Sequence, residues 1–270
     1  MGAPELRIQR TLSSLGELVV KPVEKAIARE MVVSNHYSHS WNGNFGTFNA
    51  GIFRAEESDR CLGVASFGPM KNNLCRSFFS HPDPQAVCLE LNRMWVDDCL
   101  GRNAESFLIG ASLRLLRRAV PHCVLVQSFA DGRIGHGTIY QASNFTYHGW
   151  HWTTFWRHAD GRQTHAQNTN NRRQVGSFCR NGVEICMGTA KPFRVRTYRY
   201  LYRLDRRTEV LLPEQPYPKD APGTFEAPVC IDRVKLARDI GETLARHILG
   251  KEGKTLPPPP RNSRSGVRRE

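Results

Sequence analysis

No stretch of about 18 consecutive apolar residues occurs in this 270-residue chain, so no membrane-spanning helix is expected. The N-terminus lacks a basic segment followed by an apolar one, so no secretory leader is expected either. No C-x-x-C pair exists among the eight cysteines, and no H-x-x-x-H, which disfavours zinc knuckles and zinc hydrolases. Cys61, Cys88 and Cys123 lie inside apolar runs, where they read as small reduced hydrophobes of a cytosolic protein. No internal repeat is visible. Acidic charge is also scarce: 25 Asp and Glu face 38 Lys and Arg, leaving a net charge of +13.

That excess is not spread evenly. Residues 1–150 carry +2, residues 151–210 carry +8, residues 211–250 carry −1, and the last 20 carry +4. Clustered arginine predicts a polyanion partner, because phosphate affinity grows with the number of basic contacts. Arg172, Arg173, Arg194, Arg196 and Arg199 are the candidate nucleic-acid contacts. Trp152, Trp156, Phe178, Phe193, Tyr198, Tyr200 and Tyr202 are interleaved with them, and 193–204 alternates so that one basic-aromatic face is expected.

Residues 1–20 are weakly patterned. A helix is predicted from Pro22 to near Ser34-Asn35, and strands over 46–53, 61–68, 89–96, 123–129, 145–157 and 193–204. An amphipathic helix is expected over 104–119, with Asn103 as its N-cap and Ala104, Phe107, Leu108, Ala111, Leu115 and Ala119 as its apolar stripe. Residues 159–190 read as an inserted loop or hairpin, and 232–249 as a last helix. The Pro- and Arg-rich tail 251–270 reads as disordered. The division predicted is an extension over 1–20, a catalytic domain over 21–220 with its basic segment at 151–210, a helix within 221–250, and the tail.

The most informative stretch runs from Phe129 to Gly149, F-A-D-G-R-I-G-H-G-T-I-Y-Q-A-S-N-F-T-Y-H-G. Asp131 falls at the carboxyl end of a strand, where open α/β sheets place their ligands. In the strand 89–96, regular pleating would send Glu90 and Arg93 to opposite faces; a bulge, common beside active sites, would bring them together. Asp131 also fits a simple Asp-Gly turn, and His36 and Tyr37 a simple helix end.

The order strand 89–96, Gly101-Arg102-Asn103 turn, helix, strand 123–129, helix around Tyr140, strand resembles the GNAT superfamily of N-acyltransferases. That implies a mixed twisted sheet flanked by helices, an α/β (α+β) fold, with a coenzyme pyrophosphate at the helix N-terminus. The usual Gly-x-Gly/Ala spacing is reduced here to Gly101-Arg102-Asn103-Ala104. N-H-Y-S-H (35–39), L-E-L-N-R (89–93) and the 130–149 stretch are similar to the phage Mom family of DNA adenine modification proteins, over roughly residues 20–220.

The resemblance implies addition of a carbamoylmethyl-type group to the exocyclic amine of adenine in double-stranded DNA, guarding phage DNA against restriction in the host cytoplasm. It implies iron held by His36, Tyr37 and Asp131, a reasonable N/O donor set. It implies catalytic roles for Arg93, Tyr140, Asp131, Tyr37 and His36. An acyl donor, acetyl-coenzyme A or an aminoacyl-type compound, is expected along Gly101, Arg102, Asn103 and Ser106. The competing readings are an ordinary N-acetyltransferase of a small amine or protein, and a non-catalytic DNA-binding phage protein.

Overall fold

The structure is a computed structural model and describes residues 7–12, 16–41, 43–57, 59–70, 77–166, 171–219, 224–225 and 231–251. The chain divides into two compact units, residues 1–151 with 196–223, and residues 152–195 with 224–270.

The first unit is built on a mixed sheet. Its strands are β1 (Ile8–Leu12), β2 (Gly16–Pro22), β3 (Phe48–Arg54), β4 (Gly63–Pro69), β6 (Val87–Val96) and β7 (Cys123–Asp131), followed by the parts of β10 (Lys191–Arg203) and β8 (Thr146–Arg157) that belong to this unit. They lie in the order β1-β2-β3-β4-β6-β7-β10-β8. A short pair, β5 (Phe79–Ser80) with β11 (Glu209–Val210), stands apart. The pairings from β1 through β4 to β6 are antiparallel, as is β7 with β10. β6 and β7 run parallel, because the helix α2 (Ala104–Ala119) carries the chain back between them. Among the described residues, the other α-helices of this unit are α1 (Lys25–Asn35) and α3 (Thr138–Ala142).

The expected fold class is thus present, and the helix predicted over 104–119 has those bounds. Burial on it is wider than one stripe: Ile109, Leu113 and Leu116 join Phe107, Leu108 and Leu115 in the core, while Ala119 is exposed. Asn103 is its N-cap as expected, though not through its side chain. Asn103 sits at the N-cap in a left-handed conformation (φ 70°) and makes no side-chain cap bond. The weakly patterned start also differs from expectation, since β1 and β2 pair with one another and β2 with β3. Leu18 and Val20 are fully buried there.

Two local irregularities position the site. Ser66 of β4 faces Arg93 of β6, yet the next residue, Phe67, faces Leu91, so Asn92 is an extra residue on β6. This is the bulge that brings Glu90 and Arg93 onto one face. The second is Gly137, at φ 91°, where an added Cβ would lie 2.6 Å from Tyr200 Cε2 and 2.9 Å from Tyr140 Cδ2. The turn after β7 can therefore pass over the Tyr140–Tyr200 stack (ring centroids 5.1 Å apart) only with glycine here.

β10 corrects the expected basic-aromatic face. Tyr198 and Tyr200 are almost wholly buried and pack with Tyr147, Tyr140 and Phe145. The aromatic half of that strand is core.

The second unit holds the rest of β8, paired with β9 (Gln163–His165), and the start of β10, paired with β12 (Thr224–Phe225). It also holds α4 (Val175–Cys186) and α5 (Arg233–Lys251). The insertion read as loop or hairpin therefore contains a helix of 12 residues. Gly176, Asn181 and Gly182 give α4 poor intrinsic propensity. What holds it is packing: Phe178 and Ile185 are buried, and Ile240 of α5 approaches Gly182 where a Cβ would be 2.6 Å away. Trp156, Phe178 and Phe193 are buried too, so these interleaved aromatics are core. Buried His158 ties the hairpin to α4, bonding Glu184 through Nδ1 and Thr164 through Nε2 (2.7 Å). All of the predicted disordered tail except Lys251 lies outside the described residues.

Candidate active site

Four chain-distant segments of the first unit converge: the end of α1, the bulged β6, the turn after β7, and α3. The Tyr37 hydroxyl feels the charges of Asp131, Arg93 and Arg133; Tyr140 feels Tyr37 and Glu90; His36 feels Arg93. His36, Tyr37, Arg93, Asp131 and Tyr140 are therefore brought together as one group, with Glu90 beside them.

His36 follows the last turn of α1 and is buried. Its Nδ1 accepts the Ser38 backbone N–H (3.1 Å) and lies 2.8 Å from Ser38 Oγ. An amide N–H only donates, so the ring proton sits on Nε2. Burial, then the neighbouring Arg93, pushes the imidazole down to about 4, so it is neutral at physiological pH. The rings of His36 and Tyr37 are 4.2 Å apart. Tyr37 is 57% exposed as a residue, yet burial around its hydroxyl, and then Asp131, raise its pKa and keep the phenol protonated.

Arg93 is tied into the loop after α1. Its Nε donates to the Ser40 carbonyl (3.2 Å), Nη2 to Ser40 Oγ (3.2 Å) and Nη1 to the Asn92 carbonyl (2.7 Å), and it lies 4.7 Å over the Phe45 ring. Desolvation lowers its pKa, with Tyr37 and Glu90 opposing that shift. Glu90 accepts from Asn92 Nδ2 (3.3 Å) and Gln127 Nε2 (3.5 Å). Tyr140 is a buried phenol pushed up to about 12 by desolvation, opposed by its hydrogen bond to Ser128.

Asp131 is engaged by a residue that sequence reasoning passed over. Arg133 donates its backbone N–H to Asp131 Oδ1 (2.9 Å) and its guanidinium to both carboxylate oxygens. A signal for this was available. The same D-x-R turn recurs at Asp160–Arg162 and Asp205–Arg207, each with the arginine N–H and guanidinium on the aspartate. Ser38, Ser40 and Ser128, which orient site residues, left no such signal.

The residues expected to hold a donor fall elsewhere. Ser106 and Asn103 line a cavity of about 430 Å³ together with Arg10, Phe107, Gly110, Arg114, Ala142–Asn144 and Tyr202. Ser106 Oγ donates to the Asn103 carbonyl (3.1 Å). Gly101 and Arg102, with Asn103, line a second, shallower hollow bordered by Asp97, Asp98 and Glu105. Those carboxylates oppose an anion there, whereas Arg10 and Arg114 favour one in the first cavity.

Of the DNA-contact candidates, Arg196 lies 4.9 Å over Trp150 and Arg199 lies over Phe129 (5.6 Å) and Phe78 (5.9 Å), its pKa lowered by desolvation. In the second unit, Arg172 pairs with Asp239 (2.6 Å), Arg173 is exposed and Arg194 is half-buried. Among the described residues, no helix is long and apolar enough to cross a membrane.

Comparison with known proteins follows the same segments. The chain is 34% identical over 213 residues, 75% of its length, to the methylcarbamoylase mom of Escherichia phage Mu, 84% of which is matched. Solved structures with some likeness include Arabidopsis thaliana NAA60 in complex with a bisubstrate analogue (TM-score 0.41, 8% identity, covering 69% of this chain and 97% of that one). Another is the ribosomal L7/L12 alpha-N-protein acetyltransferase RimL (TM-score 0.35, 11% identity, 73% of this chain and 97% of that one). Likeness at those scores carries no weight, and the family rests on sequence. A model of the Mom protein family matches residues 17–219, which hold every residue of the converging group; this chain belongs to the Mom protein family.

Proposed function

We propose that this protein is a DNA-modifying transferase of the acyltransferase type. It adds a carbamoylmethyl-type, acyl-derived group to the exocyclic amine of adenine in phage DNA, shielding that DNA from restriction in the host cytoplasm. The observation that carries this reading is the convergence of His36, Tyr37, Arg93, Asp131 and Tyr140 from four segments in a chain of this family.

Adenine N6 is a poor nucleophile, since its lone pair is delocalised into the ring, so the site must orient it and stabilise charge on the donor. Asp131, both of whose carboxylate oxygens accept from Arg133, would accept from the N6 amine in place of one of those contacts. The exposed Tyr37 ring offers the base a stacking face. Arg93 and the His36 Nε2–H are donors available to the carbonyl oxygen of the transferred group, and both are desolvated, which strengthens them. The Tyr140 hydroxyl, neutral and buried, can give its proton to the leaving group as that group departs. We place the donor, acetyl-coenzyme A or an aminoacyl-type compound, in the Ser106 cavity, with Arg10 and Arg114 toward its anionic end. Arg196, Arg199 and the arginines of the second unit would hold DNA phosphates.

The donor set fits an iron ion in kind: one imidazole, one phenol and one carboxylate, with the His36 and Tyr37 rings 4.2 Å apart and Asp131 acting on the Tyr37 hydroxyl. His36, Tyr37 and Asp131 would hold it; His36 would bind through Nε2 only by moving its ring proton to Nδ1, which gives up the bond from the Ser38 N–H and the Nε2–H donor role. Bound there, iron would supply Lewis acidity. It would compete with Arg133 for Asp131.

The test is nucleoside mass spectrometry of DNA from cells expressing the wild type or Asp131→Ala. The reading requires a modified adenine that appears with the wild type and is lost with the variant. Modified adenine at wild-type level with Asp131→Ala would remove the carboxylate from the mechanism. Amine acetylation with unaltered DNA would favour an ordinary acetyltransferase; salt-sensitive DNA binding alone would favour a non-catalytic protein.

A further inference from the structure

We propose that Ile134 is an intercalating wedge: it enters the base stack and fills the space left when the target adenine swings out toward Tyr37. The inference rests on the DNA-adenine reading above. An enzyme that acts on a base generally extrudes it from the duplex, and a vacated stack is commonly filled by an inserted aliphatic side chain.

Ile134 is 63% exposed, although it sits beside a buried group. Fraying does not explain the exposure, because the turn is fastened throughout. The backbone N–H groups of Ile134 and Gly135 both donate to the Asp131 carbonyl (2.9 and 3.0 Å), and that of Gly132 donates to the Arg196 carbonyl (3.0 Å). Tyr200 donates its hydroxyl to the His136 carbonyl, closing the far side. The isoleucine is thus held outward on a rigid turn, one residue beyond the arginine that grips Asp131. Glycine stands next to it at 135, where even a Cβ would meet nothing, so the turn is thin enough to approach a groove. The surroundings suit a duplex, with Arg133 and Arg196 in the same turn and its partner strand. The exposed Tyr37 ring, in electrostatic contact with Asp131 and Arg133, is placed to receive the extruded base.

The experiment has two stages. DNA from cells expressing the wild type is first analysed for modified adenine and its position mapped; absence of any modified adenine would end the DNA-adenine reading itself. Duplexes are then made with 2-aminopurine at a mapped position, paired with thymine or facing an abasic site. Protein is added, and fluorescence reports unstacking while anisotropy reports binding. Wild type and Ile134→Leu should raise fluorescence on the paired duplex about tenfold more than Ile134→Ala at equal occupancy. All three should match opposite the abasic site, where extrusion needs no wedge. An equal rise for Ile134→Ala on the paired duplex would overturn the proposal. So would an equal deficit on both duplexes, which marks a structural role. If the wild type modifies adenine in cells yet unstacks nothing, the wedge is likewise excluded while the modification reading stands.

Discussion

Two glycines of one turn should behave in opposite ways. At Gly137 the backbone is at φ 91°, and a Cβ would sit 2.6 Å from Tyr200 Cε2, 2.9 Å from Tyr140 Cδ2 and 3.0 Å from Ala130 Cβ. The left-handed conformation costs an L-residue about 1–2 kcal/mol. Overpacking a filled core costs a further ~1–3 kcal/mol. Gly137→Ala should thus destabilise the protein by about 2–5 kcal/mol, and the displaced Tyr140 should lower the modification rate as well. Gly135 has neither constraint, since nothing lies within 4 Å of its Cβ. Gly135→Ala restricts mainly the unfolded chain and should change stability by less than about 1 kcal/mol, in the stabilising direction. Urea unfolding followed by fluorescence reads both, with modified-nucleoside yield as the second readout. Equal stabilities for the two variants would refute the argument that Gly137 is fixed by the Tyr140–Tyr200 pair.

Tyr140→Phe removes a buried hydroxyl bonded to Ser128 and should cost about 0.5–1.5 kcal/mol of stability, with a much larger loss of modification rate; an unchanged rate would exclude proton donation by this phenol. His36 has its pKa lowered in the folded state, so the unfolded chain binds the extra proton. Its contribution should be fully present above pH 6.5 and be lost as pH falls toward about 4, and His36→Asn should flatten the pH dependence of urea stability in that window. Arg133→Ala frees the Asp131 carboxylate and should raise the iron retained after dialysis, measured by elemental analysis; lower retention would contradict the competition. Arg196→Ala should reduce the slope of log K against log salt for duplex binding by about 0.9 for each phosphate that the arginine neutralises, and an unchanged slope would remove it from the interface.

Much of the frame was legible without coordinates. The stripe of α2, the apolar run of β7 and the alternation of β10 are local periodicities, and each lies close to where those patterns put it. α4 was hidden because its glycines and asparagine deny it local preference, and only burial against α5 holds it. β1 and β2 were hidden because pairing, β1 with β2 and β2 with β3, rather than composition makes them strands.

The candidate site divides in the same way. The family resemblance nominated His36, Tyr37, Arg93, Asp131 and Tyr140, because each lies in a short unbroken motif of the chain. Which of them meet, and in what state, was a tertiary matter. The extra residue at Asn92 turns Arg93 to the side of Glu90. Arg133 occupies Asp131, and Ser38 fixes the His36 tautomer. The β10 tyrosines became core instead of surface. Local pattern encodes which way a side chain faces along its own element. Register, partner and protonation depend on neighbours many residues away, and those are set only when the elements pack.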